Sequence, residues 1–309
     1  MKKDFPQIDW NEAVEHDCRQ IVRLAVSEDL GRWYDWTTVS LVPQSAAGHV
    51  AIVARRQGII AGILAVKTAL SEMGITVQWQ EKVEEGANVE PGDPLVEISG
   101  SARDLLTAER LMLNLLGRLS GIATLTRKYV DSIADTSARI YDTRKTTPGW
   151  RLLEKYAVHC GGGNNHRTGL YDAILIKDNH LALGAGVEGA EAFTPAQAVN
   201  KARDFVQQML ADDPRKDMIV EIEVDTLEQL EQVLPVDPEI VLLDNMSPQL
   251  LRQAVELRDR LNPHVELEAS GEINLETVHA VALSGVDRLS VGALTHSAVS
   301  LDVGLDWRY

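Results

Sequence analysis

The chain has 309 residues, 45% of them hydrophobic and 25% charged, with a formal net charge of −16. Its length suits two domains of ordinary size, its composition excludes a disordered polyelectrolyte, and its acidity excludes attachment to nucleic acid or anionic lipid by bulk charge. The longest apolar stretch, Gly58 to Val66, is far too short to span a membrane, no apolar run follows Met1-Lys2-Lys3, so a cytoplasmic protein is expected, and Cys18 and Cys160 fit neither a disulfide framework nor a zinc site.

Val14, Cys18, Ile21, Val22 and Ala25 recur at helical spacing and predict a helix from Glu12 to Leu30, stopped by Gly31. Val50 to Val53, and then Ile75, Val77 and Trp79, alternate as strands do, with a helix between them from Ala61 to Met73. Residues 86–98 set Gly86, Pro91, Gly92, Asp93 and Pro94 among short strand fragments, the pattern of a hairpin. A long helical pattern from Ala102 to Ile133 carries Leu105, Ala108, Met112, Leu115 and Leu119 on one side, and Gly117 and Gly121 are expected to interrupt it.

Six short apolar strands then alternate with helices: Arg139–Asp142, Ala173–Ile176, Met218–Val224, Ile240–Leu243, Val265–Glu268 and Asp287–Val291. That order predicts a parallel sheet covered by helices, either doubly wound or a barrel with fewer than the usual eight strands. In the tail, Val299, Leu301, Val303 and Leu305 alternate, which suits a strand returning antiparallel to the first domain.

Ligands of such sheets gather beyond the carboxyl ends of the strands. The first end leads into Thr143-Arg144-Lys145 and the second into Lys177-Asp178-Asn179-His180, with Gly161-Gly162-Gly163-Asn164-Asn165-His166-Arg167 between them. Later ends are acidic or small: Glu221, Glu223 and Asp225; Asp244-Asn245; Glu268-Ala269-Ser270-Gly271; Ser290-Val291-Gly292-Ala293. Glu221 and Glu223 are read as facing opposite ways, one inward and one toward the helices. The triple glycine is a turn and not a Walker loop, because the Gly-Lys-Ser/Thr ending is missing.

Arg144, Lys145, His166, Arg167 and Lys177 give an acidic protein a local cationic rim, which suits a small polyanion carrying both carboxylate and phosphate. Carboxylates opposite that rim suit Mg²⁺ bridging to phosphate oxygens, and the glycine-bearing ends bring backbone amides near an anion. Taken singly, the residues leave other chemistry open: a Schiff base on Lys177, or a helix cap from Asp244.

Thr143-Arg144-Lys145-Thr146-Thr147-Pro148-Gly149-Trp150, the run Gly161 to Arg167, and Leu175-Ile176-Lys177-Asp178-Asn179-His180 together resemble the quinolinate phosphoribosyltransferase family. So do Thr107-Ala108-Glu109-Arg110, Ile222-Glu223-Val224-Asp225, Leu242-Leu243-Asp244-Asn245, Glu268 to Gly271 and Ser290 to His296, which extends the likeness over nearly the whole chain. It departs at Trp33-Tyr34-Asp35-Trp36-Thr37, where the family carries Gly-Asp before Thr.

The resemblance implies an α/β fold: an N-terminal α/β sandwich domain over 1–118, joined by a C-terminal strand at 298–309, and an atypical α/β barrel with fewer than eight strands over 119–297. It implies phosphoribosyl transfer from phosphoribosyl pyrophosphate to quinolinate with decarboxylation, giving nicotinate mononucleotide, pyrophosphate and CO₂ in NAD biosynthesis, with Mg²⁺. Carried over by motif, Arg110, Arg144, His166, Arg167 and Lys177 hold the quinolinate carboxylates. Lys145, Glu223, Asp244, Ser270, Gly271, Gly292 and His296 face the phosphoribosyl group, its metal or its phosphates, and Thr143, Ser290 and Ala293 complete the binding set. Lys145, Glu223 and Asp244 are implied as catalytic, with Glu223 and Asp244 nearest the metal. A homodimer is implied too, Arg110 reaching the partner's site. The rival readings are a transferase acting on another pyridine or on a molybdenum-transport-linked substrate, a Lys177 Schiff-base lyase or aldolase on a barrel, and a non-catalytic metabolite sensor.

Overall fold

The computed structural model describes residues 4–184, 192–210, 213 and 217–308. The chain divides into two compact units, the first made of Met1–Pro6, Tyr129–Arg144 and Asn165–Val291, the second of Gln7–Lys128, Lys145–Asn164 and Gly292–Tyr309. The strands are β1 (Ala47–Ala54), β2 (Gly58–Ile59), β3 (Gln78–Glu81), β4 (Asn88–Val89), β5 (Pro94–Ser101), β6 (Arg139–Tyr141), β7 (Ile174–Ile176), β8 (Val220–Val224), β9 (Ile240–Asp244), β10 (Glu266–Ser270), β11 (Arg288–Ser290) and β12 (Val303–Trp307).

In the second unit an antiparallel sheet runs β12-β1-β5-β3. Val50, Ile52, Val96 and Ile98 from β1 and β5 share one core with Ile63, Val66 and Leu70 and with Leu105, Met112 and Leu116 of the helix Ala102–Ser132. The alternating tail is the predicted edge strand, with Val303 opposite Ala54 and Trp307 opposite Val50. It begins at Val303 rather than Val299, and the reason corrects a second expectation. Gly117 and Gly121 do not break the helix Ala102–Ser132; they bare its backbone where residues 299–301 cross. The Leu301 amide donates to the Gly117 carbonyl at 2.8 Å, and a Cβ at position 121 would lie 2.2 Å from the Val299 carbonyl oxygen. A mid-helix glycine costs about 1 kcal/mol relative to alanine, and this close crossing is what offsets it.

Residues 86–98 do not form a hairpin either. β4 pairs with β2, Gly58 opposite Val89, while β5 joins β1 and β3. The turn between them closes on itself, the Glu90 amide donating to Asp93 Oδ2 at 2.8 Å, and passes the chain from one sheet to another. The triple glycine is structural, as its composition predicts: it ends the helix Arg151–Cys160, and a Cβ at position 161 would meet the Ala123 carbonyl oxygen at 2.5 Å.

The first unit holds six strands in the order β6-β11-β10-β9-β8-β7, every neighbouring pair parallel. Helices between the strands start at side-chain caps: Thr194 with Gln197 for Pro195–Met209, Thr226 for Leu227–Val233, and Ser247 for Pro248–Leu261. β8 and β10 are separated by β9, and on a flat sheet they would lie about 9.6 Å apart. Yet ligand atoms of Glu221, Glu268 and His166 all fall within 4.8 Å of one another. These side chains converge on one face, and the six parallel strands fit the atypical barrel of fewer than eight strands that the resemblance implies.

Glu221 and Glu223 share a face, contrary to the opposed reading, because strand side chains repeat every second residue. Below Glu221 the start of the chain fills the interior. Phe5 clusters with Tyr141, Ala173, Ile219 and Ile240. Arg288, fully buried, lies over the Tyr141 and Phe5 rings at 4.7 and 5.6 Å and pairs with Asp4 at 3.1 Å and with Glu266.

Candidate active site

The cationic side of the first unit is built on Asp142, a fully buried residue that directly follows β6. It accepts from Asn165 Nδ2 at 2.7 Å and from the His166 amide at 2.8 Å, fastening residues 165–167 to the strand end. Sequence reasoning passed over Asp142; its signal is a carboxylate closing an apolar strand immediately before Thr143-Arg144. Arg167 is buried and donates from Nη1 to the Ala173 carbonyl at 2.9 Å. Burial, and then the positive charge of Arg144, hold its guanidinium below the ordinary value, with Glu221 and Asp172 opposing.

His166 sits one layer deeper than the strand ends. Its Nδ1 accepts from the Arg167 amide at 2.8 Å, leaving Nε2 as the donor side, 3.0 Å from Glu221 and 3.5 Å from Glu268, with the Phe5 ring 4.4 Å away. Glu221 and Glu268 are fully buried. Burial first, and then the Glu221 charge, push the Glu268 carboxyl from an ordinary 4.5 up to about 7, against the pull of His166 and Arg288.

This has a consequence for stability. Between pH 4.5 and about pH 7 the folded protein keeps a proton on Glu268 that the unfolded chain has lost, so this group's contribution falls as pH rises through that window. Glu268→Gln removes the fall. Thermal melts should show the variant gaining on wild type by roughly several degrees between pH 4.5 and pH 8; a difference that does not change with pH would contradict the assignment.

The acidic side lies at the ends of β8 and β9. Glu223 pairs with the Nζ of Lys177, the residue after β7, which ties the ends of β7 and β8 together. Asp244 ends β9 and accepts from Asn245 Nδ2 at 2.7 Å. Asn245 and Gly271 both have left-handed backbones, φ 54° and 95°, and a Cβ on Gly271 would fall 2.0 Å from Asn245 Oδ1. Only glycine fits there. The Asn245 amide donates to the Ser270 carbonyl at 3.0 Å, so Asp244, Ser270 and Gly271 come together as one group. Ser290 ends β11 and is buried.

Two carboxylates on neighbouring strand ends, without a third ligand, fit a Mg²⁺ ion that keeps its waters and takes its other oxygens from a substrate phosphate. Among the described residues the one group of three close metal-ligating side chains is His166, Glu221 and Glu268, down in the barrel interior.

The remaining residues belong to the second unit. Gly292 caps the short helix Ala293–His296, and a Cβ on it would lie 2.9 Å from Lys145 Cδ and 3.2 Å from His296 Nε2. Its bare backbone is what lets the Lys145 stem and the His296 ring meet. Arg110 is exposed on the helix Ala102–Ser132. One turn before it, Thr107 donates to Asp35 at 3.4 Å, and Trp33, Tyr34, Trp36 and Leu41 beside Asp35 are 69%, 65%, 62% and 76% exposed.

A sheet of six parallel strands with Phe5 packed inside it and with cationic and acidic side chains at its strand ends is that of an α/β-barrel enzyme. The family described as quinolinate phosphoribosyl transferase matches this chain twice, its N-terminal domain over residues 35–120 and its C-terminal domain over 122–306. Nicotinate-nucleotide pyrophosphorylase (carboxylating) of Mycobacterium leprae is 44% identical over 292 residues, 93% of this chain and 96% of that protein. The probable enzyme of the same name from Bacillus subtilis is 39% identical, covering 90% of this chain and 89% of its own. The solved nicotinate-nucleotide pyrophosphorylase of Francisella tularensis superposes with a TM-score of 0.86 at 33% identity, covering 99% of this chain and 100% of that one. The chain belongs to the quinolinate phosphoribosyltransferase family.

Proposed function

We propose that this protein transfers the phosphoribosyl group of phosphoribosyl pyrophosphate to quinolinate and decarboxylates the product, giving nicotinate mononucleotide, pyrophosphate and CO₂. The observation that carries the reading is that Asp142 fastens residues 165–167, and with them Arg167, to the strand end that leads into Arg144. A pyridine with adjacent carboxylates supplies one charge for each of these two guanidinium groups.

Held this way, the substrate presents its ring nitrogen to the anomeric carbon of the sugar. The nitrogen lone pair forms the new C–N bond as the C–O bond to pyrophosphate breaks, and positive charge passes from the sugar onto the ring. Glu223 and Asp244 set negative charge where the sugar becomes cationic. The pyridinium then accepts the electron pair of the C2–carboxylate bond, CO₂ leaves, and a proton from solvent takes its place at C2. Glu223 and Asp244 would also hold Mg²⁺, which when bound supplies charge neutralisation for the departing pyrophosphate.

The working unit in this reading is a homodimer in which Arg110 serves the partner's site. Its support is the exposure of Arg110 on a helix that Thr107, one turn earlier, ties to Asp35 beside the exposed cluster of Trp33, Tyr34 and Trp36, apolar side chains of the kind that mark a protein interface.

Incubation of the purified protein with quinolinate, phosphoribosyl pyrophosphate and Mg²⁺ should yield the mass of nicotinate mononucleotide, and a chelator should stop it. No product mass under these conditions would overturn the reading; turnover unaffected by the chelator would remove Mg²⁺ from it.

A further inference from the structure

Glu154, on the helix Arg151–Cys160, is fully buried and takes no part in the chemistry above. A buried carboxylate survives only when charge and hydrogen bonds meet it from several sides, and those that meet this one come from the helix Ala102–Ser132 and from the loop before its own helix. Arg118 donates to Glu154 Oε1 from Nη2 at 2.7 Å and from Nε at 3.2 Å. Thr147 donates to the same carboxylate twice, from Oγ1 at 2.8 Å and from its amide at 3.1 Å. The other face of the Arg118 guanidinium reaches the Thr295 carbonyl at 2.5 Å and the Ala298 carbonyl at 2.9 Å. Thr295 closes the ring, its Oγ1 donating to the Lys145 carbonyl at 2.8 Å.

One ion pair therefore grips the loop 145–147 through its acid and the segment 295–298 through its base, and the two segments are bonded to each other. Between them lies bare Gly292, where the Lys145 stem and the His296 ring meet. An apolar pair of the same volume would fill the space about as stably. What it would not supply is direction: five donors of a planar guanidinium fix backbone carbonyls in place, as a site that must be set before its ligand arrives requires.

We propose that the Arg118–Glu154 pair, with Thr147 and Thr295, is a positioning clamp that pre-sets Lys145 and His296 for the phosphate groups of phosphoribosyl pyrophosphate. The inference rests on the functional reading above, in which those two residues serve that substrate, and it adds four residues that touch neither substrate.

Thr295→Val keeps the shape of the side chain and deletes its bond to the Lys145 carbonyl. It should raise KM for phosphoribosyl pyrophosphate about tenfold, with KM for quinolinate within about twofold, the melting temperature lowered by about a few degrees because buried carbonyls lose their donor, and Thr295→Ser restoring wild-type kinetics. Glu154→Gln should also speed hydrogen exchange at the Thr147 amide by about tenfold or more. The clamp is refuted if that amide exchanges no faster in Glu154→Gln. Its role toward the phosphates is refuted if Thr295→Val shifts both KM values together or neither. A protein that turns over no phosphoribosyl pyrophosphate even unmutated, yet frees the Thr147 amide in Glu154→Gln, keeps the clamp and loses the functional reading beneath it.

Discussion

Arg144→Ala should lower kcat/KM for quinolinate by about 10²–10³, equivalent to roughly 3–4 kcal/mol of lost transition-state stabilisation, and leave the fold standing. The first half follows from where the charge sits. In the proposed reading Arg144 and Arg167 take the two carboxylates of one substrate, so removing either leaves half a site. The second half follows from what holds the loop. Asp142 anchors residues 165–167 through its bonds to Asn165 and His166, and Arg144 has no part in those bonds. Deleting it even relieves a like-charge repulsion. Arg144→Lys should rescue poorly, because a point charge does not reproduce a planar fork against a carboxylate. Steady-state kinetics paired with thermal melts separate the cases: near wild-type kcat/KM would remove Arg144 from the site.

The second large effect concerns Arg110. Arg110→Ala protein and Arg144→Ala protein should each be nearly inactive, and their mixture, after exchange of subunits, should recover activity. Random pairing makes half of the dimers mixed, and each mixed dimer has one site with both arginines and one with neither. Recovery should therefore approach about a quarter of wild type per subunit. A mixture shown to contain mixed dimers but still inactive would contradict action across an interface. Placement of Arg110 in the open, beside exposed Trp33, Tyr34 and Trp36, gives the experiment its motive.

Much of this architecture is legible in the sequence because short apolar strands declare themselves. All six strands of the first unit lie where apolar runs predict them, with boundaries moved by a residue or two. The strand count by itself left a doubly wound sheet and a barrel open, and only the family motifs chose the barrel; the meeting of Glu221 with Glu268, 47 positions apart in the numbering and on strands that are not neighbours, has no local signal. Gly117 and Gly121 misled for a similar reason. Local propensity sees a helix breaker, whereas the glycines answer to residues 299–301, which no window around them contains. Residues 86–98 show the limit of turn chemistry, which marks where a chain reverses and not which strands it then pairs. The opposed reading of Glu221 and Glu223 needed no structure to correct it; a period of two already puts them on one face.

The strand-end motifs brought most of the candidate side chains into view. The side chains behind them stayed hidden: Asp142 under the cationic loop, Phe5 beneath His166, and the Arg118–Glu154 pair under Lys145. Each is a single residue whose task exists only once distant segments meet, so no spacing announces it.

The most direct measurement is a crystal structure of the protein with quinolinate bound. The predicted result has the two ring carboxylates lying against Arg144, Arg167 and Lys177 at the carboxyl ends of β6 and β7. Quinolinate bound elsewhere, with those three side chains making no contact to it, would contradict the account.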